Sequence, residues 1–195
     1  EEFRQCISLT ADDALKARAY TMLSRLYEEQ GDRGKERDIL LEAREALPIG
    51  EQMLILERLI QADIDMAEGA DGTAYREEAI GLLKEVISQG WDTYATYDNL
   101  VILYDKQGEL GLAGEILDQM EEEFGKDYNI CKRRAFCEVD LQNEKENSLR
   151  DYTMFAQYYD EALRLYEDQL EGNDTDAEMG LLKQVYQQVK TGGWL

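Results

Sequence analysis

Apolar positions in this chain recur at spacings of three and four residues and seldom at alternate positions, the pattern of helices that each bury one face. Ile39, Leu40, Ala43 and Leu47 form one such stripe, which stops at Pro48; Leu112, Ala113, Ile116, Leu117 and Met120 form another, which stops near Gly125. Along the whole chain the pattern predicts helical hairpins over about 11–48, 51–90, 94–125 and 128–170, then a terminal helix over 175–190. One proline against fifteen glycines, with Ala, Leu, Glu, Gln and Lys abundant, suits an all-α chain.

One phrase occurs twice without a gap. Tyr20-Thr-Met-Leu23-Ser-Arg-Leu-Tyr27-Glu-Glu-Gln30-Gly31-Asp32 aligns with Tyr97-Asp-Asn-Leu100-Val-Ile-Leu-Tyr104-Asp-Lys-Gln107-Gly108-Glu109, and each copy is followed by a second apolar helix. An aromatic, a Leu, a small residue and a Tyr, followed by Ala, Leu, Ala and Pro in the partner helix, resemble the tetratricopeptide repeat. That resemblance implies a right-handed superhelical stack of antiparallel helical hairpins, an α-solenoid with a C-terminal capping helix. A closed bundle, whose first and last helices touch, is the other all-α fold, but a bundle has no reason to reuse the phrase. Three positions depart from the family pattern: Glu36 stands where a small Ala is usual, Val101 fills a small-residue position and Gly125 replaces Pro. Looser packing is expected there.

Gly31 and Gly108 lie 77 residues apart, more than two repeat lengths of about 34 residues, so the unit between them carries extra residues. It pairs Glu51 to Glu68 with Ala74 to Gln89 through Gly69 to Gly72. The fourth unit runs from Tyr128 to Leu141 and, after an insert, from Tyr152 to Leu170. Met179, Leu182, Val185, Tyr186 and Val189 give the last helix an apolar face suited to capping the stack, with Trp194 and Leu195 folding back onto it. At the other end, Glu2 to Leu9 has the pattern of a preceding helix's tail, and Thr10 with Asp13 suits the start of the next.

A formal net charge of −22 repels phosphate backbones and anionic headgroups, which argues against nucleic acid and membrane surfaces as partners. No apolar run approaches the length of a bilayer span, so a soluble segment is expected. The start at Glu1 suggests a segment of a longer protein, either membrane-anchored or cytoplasmic. Cys6, Cys131 and Cys137 are odd in number, and the last two point about 120° apart on one helix, so they are expected as buried thiols and not as a bridge. Without histidine there is no Ser-His-Asp or Cys-His constellation, and neither a cofactor nor a metal is called for. Asp63 with Asp65, and the run Glu121 to Glu123, could do acid–base work only inside a pocket, with Gly69 to Thr73 as the nearest candidate lid. The stretch 173–178 alternates oxygen ligands but lacks the Gly and Glu of a calcium loop, and is expected as a helix cap.

What the family resemblance implies is a concave groove for a protein or peptide. Carried onto this sequence, its groove positions are Thr21 and Arg25, Asp98 and Ile102, and Lys132 and Phe136. The Lys and Asn clamp that grips C-terminal carboxylates is absent, and an apolar or amphipathic segment with a basic residue facing Asp98 suits the mixed lining. Lys132-Arg-Arg-Ala-Phe-Cys-Glu-Val-Asp140, Arg150-Asp-Tyr152, Tyr158-Tyr-Asp-Glu-Ala162 and the closing Gly-Gly-Trp194 resemble the C-terminal repeat region of clostridial serine/threonine protein kinases. That likeness implies a recruitment or regulatory role beside a kinase domain lying outside this segment. A stand-alone adaptor or an oligomerisation scaffold is the alternative.

Overall fold

A helix leaves its first amides and last carbonyls without partners, so the loops of a helical chain must supply them. The computed structural model describes residues 2–69, 72–170 and 176–195, and among these every regular element is helical. The chain divides into two compact units, 1–92 and 93–195. The first contains α1 (Glu2–Leu9), α2 (Asp13–Glu29), α3 (Arg33–Ala46), α4 (Met53–Met66) and α5 (Gly72–Ser88). The second contains α6 (Tyr94–Gln107), α7 (Leu110–Phe124), α8 (Tyr128–Asn143), α9 (Thr153–Leu170) and α10 (Ala177–Thr191).

The repeated phrase closes its helices by one mechanism. Gly31 and Gly108 take φ values of 72° and 76°, where a side chain is strained. This conformation turns the Asp32 amide onto the Tyr27 carbonyl, and the Glu109 amide onto the Tyr104 carbonyl. Asp32 then caps α3 by accepting from the Lys35 amide. At the start of α2 the cap is Asp12, which accepts from the Leu15 amide; the expected cap Thr10 instead accepts from the Asp12 amide. Pro48 ends α3, and the Gln52 side chain donates to the carbonyls of Arg44 and Leu47 that this ending exposes. The expected lid at 69–73 includes Ala70 and Asp71, which lie outside the described residues.

In the first unit α2 pairs with α3 and α4 with α5, α3 also packs on α4, and α1 lies along α2. Leu40 and Ala43 of α3, Ile55, Leu56 and Leu59 of α4, and Ala79 and Leu83 of α5 are buried, each large aliphatic side chain contributing about 1.5–3 kcal/mol. Instead of loosening the hairpin, Glu36 fills its position with charge. Its side chain is 3% exposed and accepts from Arg58 of α4 at 3.0 Å and from Arg33 at 2.6 Å. Arg58 also donates to Ser24 and Glu28 of α2, and Arg33 pairs with Asp65 of α4. The two hairpins of this unit are therefore joined by buried charge as well as by apolar packing.

In the second unit α6 pairs with α7 and α8 with α9, α7 packs on α8, and α10 lies against α8 and α9. Val101 is buried at its small-residue position, and Gly125 ends α7 with φ 80°. α10 buries Met179, Leu182 and Val189, and beside them Tyr186 stacks on Tyr159 at 4.7 Å and lies 6.3 Å from Phe155. Trp194 folds back, its amide donating to the Val189 carbonyl and its ring 5.9 Å from Tyr152.

Two outcomes are expected in urea unfolding. Glu36→Ala removes the buried acceptor that Arg58 and Arg33 share, leaving them Ser24, Glu28 and Asp65, and costs about 1–3 kcal/mol, whereas Arg58→Ala, which leaves buried Glu36 to Arg33 alone, costs about 3–5 kcal/mol. Gly108→Ala destabilises by about 1 kcal/mol or more because of its φ, while Gly114→Ala, inside α7 with open space at its Cβ, stabilises by about 0.5–1 kcal/mol.

Candidate partner-binding cleft

Three consecutive cations on α8 organise the second unit. Successive residues of a helix turn by about 100°, so Lys132, Arg133 and Arg134 reach different neighbours. Lys132 pairs with Asp176 and Glu178 at the start of α10, at 2.9 and 2.8 Å. Arg133 bridges Asp98 of α6 and Glu178 of α10, and Arg134 pairs with Asp118 and Glu121 of α7. Asp176 also accepts from the amides of Glu178 and Met179, so the first turn of α10 is capped and tied to α8 by one side chain. The cap expected within 173–178 is thus Asp176; residues 173–175 lie outside the described residues.

Between α6, α8 and α10 a cleft of about 220 Å³ remains. Its walls include Val101, Ile102, Phe136 and Leu181, with Asp105 and Cys137 among the lining groups. Leu181 is 53% exposed, an apolar side chain off the stripe by which α10 packs.

The six groove residues expected from the sequence meet different fates. Ile102 and Phe136 share this cleft. Asp98 and Lys132 stand on the same helices, but their charges are spent inside the protein: Asp98 accepts from Arg133 and Asn129, and Lys132, buried, is held by α10. A basic residue of a partner facing Asp98 therefore meets an acid already paired. In the first unit Thr21 is buried, its hydroxyl donating to the Ala17 carbonyl, which withdraws it from any groove. Arg25, one turn further on, is exposed. Asp105 and Leu181 join the cleft without having been expected there. Asp105 lies seven residues after Asp98 on the same face of α6, and Leu181 interrupts a polar face; both signals are present in the residue pattern.

Burial raises the Asp105 carboxyl above the usual carboxylate range, and the nearby Asp140 adds to the effect. The Cys137 thiol is pushed up to about 12, first by burial and then by the same two acids, so it stays protonated at neutral pH. Cys6, Cys131 and Cys137 are all free thiols, Cys131 buried and the other two half-buried. No group of His, Cys, Asp or Glu among the described residues could hold a metal ion, and no described helix is long and apolar enough to cross a membrane. In comparisons with known proteins, no family model, curated protein or solved structure matches the chain.

Acid should release α10. Burial pushes the Asp176 and Glu178 carboxyls up, but Lys132, joined by Arg133 at Glu178, holds both below the usual range. Their contribution is present above the unfolded carboxylate values near about 4 and disappears as pH falls through the lower folded values. Asp105 and Asp140, raised by burial, act with the opposite sign, so the readout must be local. Hydrogen exchange is expected to show α10 amides losing protection before those of α8 as pH falls below the usual carboxylate range, and Asp176→Asn doing the same at neutral pH.

Proposed function

We propose that this chain is a tetratricopeptide-type repeat module that binds a protein or peptide segment, with the cleft of α6, α8 and α10 as its contact surface. The observation that carries the reading is the meeting of Ile102, Phe136 and half-exposed Leu181 around an open cleft, on helices held in place by ion pairs. A rigid scaffold with an apolar opening and a polar rim suits an amphipathic segment, whose apolar side chains fill the cleft. The twice-used phrase supports reading the hairpins as repeats of a right-handed superhelical stack. The proposed activity is binding and not catalysis. Recruitment for an attached kinase domain is supported only by the likeness of residues 132–162 and the closing Gly-Gly-Trp194 to the kinase-associated repeat regions.

Selection from a displayed peptide library tests the reading. Enriched peptides should carry spaced apolar residues and shift the NMR resonances of Ile102, Phe136 and Leu181. Leu181→Asp, a change on an exposed surface that leaves the fold intact, should weaken them at least about tenfold. Peptides that bind equally well to this variant overturn the reading.

A further inference from the structure

The first unit contains a second cleft, of about 460 Å³, with a different construction. Arg37, Leu41 and Arg44 line it from α3, Leu59 and Asp63 from α4, and Glu78, Gly81, Leu82 and Glu85 from α5. The pairs Arg37–Glu78 and Arg44–Glu85 tie α3 to α5, and both are offset by the same number of residues. On helices of equal pitch, this register sets the two ion pairs as struts about two turns apart, with Leu41 and Gly81 between them. Gly81 is inside α5, at negative φ, where its missing side chain costs about 0.5–1 kcal/mol relative to Ala; a Cβ there meets no atom within 4 Å. The glycine therefore serves no turn and no close packing, and its effect is to leave the cleft open.

Leu59 and Asp63 form the floor. The Asp63 side chain is 1% exposed, and its Oδ1 accepts from Arg37 Nε at 2.6 Å. Its Oδ2 is shielded from solvent and has no donor, a costly state for a carboxylate oxygen. Each arginine of the lining is matched by a glutamate across the cleft, which leaves Asp63 as the excess negative charge, shared with Arg37 alone. We propose that this cleft binds a small organic cation, an amine or guanidinium on an apolar body, whose N–H donates to Asp63 Oδ2 once a rotation of the carboxylate turns that oxygen toward the cleft, while the body lies between the struts against Leu41, Leu59 and Leu82. Such a ligand restores charge balance, satisfies the orphan oxygen and fills the space that Gly81 leaves. The site is separate from the partner-binding cleft, on other helices and in the other unit.

Phenethylammonium, titrated into the isotope-labelled full chain, is the probe, with 2-phenylethanol and 3-phenylpropanoate as neutral and anionic controls at equal ionic strength. The amine is expected to shift resonances along residues 37–44, 59–63 and 78–85, with affinity in the millimolar range and at least about tenfold tighter than the alcohol. Asp63→Asn should abolish that preference. Gly81→Leu, which adds helix propensity and places a side chain in the open cleft, should abolish binding of the amine and retain the helical circular dichroism spectrum. Equal shifts from all three probes, shifts centred elsewhere, or full binding by Gly81→Leu overturn the proposal. If Asp63→Asn fails to fold, the Gly81→Leu result and the amine-to-alcohol ratio decide.

Discussion

A carboxylate withdrawn from water must meet a cation, and this chain has forty-three acidic residues for twenty-one basic ones. The scarcity of cations governs the tertiary structure. Arg58 serves Ser24, Glu28 and Glu36 together; Arg33 serves Glu28, Glu36 and Asp65; Lys132 and Arg133 meet on Glu178. Because each cation is shared, most of these contacts run between helices, and the charge that could have remained on solvated faces became the means of fixing one hairpin on the next. Breaking such a network at one member is costly since the remaining charges stay buried without a partner.

The same scarcity shapes the two clefts. In the second unit the cations of α8 are consumed by α6, α7 and α10, and the space left between α6, α8 and α10 is lined chiefly by apolar side chains. In the first unit the matched pairs at either end of the α3, α4 and α5 cleft leave one buried carboxylate with half its hydrogen-bonding capacity unused. One cleft suits an apolar segment of a partner, the other a small cation, and the difference follows from where paired charge ran out.

Much of the local structure was legible in the order of residues. Gly31 and Gly108 mark helix ends because only glycine adopts their backbone conformation without strain, and Pro48 stops α3 because it cannot continue the hydrogen-bond ladder. The apolar stripe of α10 announced its packed face. Of the site, Ile102 and Phe136 were reached through the resemblance to the repeat family's groove positions, and both line the cleft although Phe136 also packs on the core of its unit. Thr21 and Lys132 misled, since a hydroxyl can turn back to its own helix and a lysine can be claimed by a helix some forty residues away.

By itself, then, the sequence determined the helical class, the hairpin turns and the faces that bury, because these depend on backbone conformations and on periods of three to four residues. Tertiary structure alone decided which acid meets which base from one helix to another. Glu36 became a strut between hairpins because Arg58 arrives from α4 to join Arg33 on it, and Asp63 and Asp65, two residues apart, were sent to Arg37 and Arg33. Such pairings join side chains far apart in the chain, and Coulombic attraction carries no sequence spacing by which they could be read in advance.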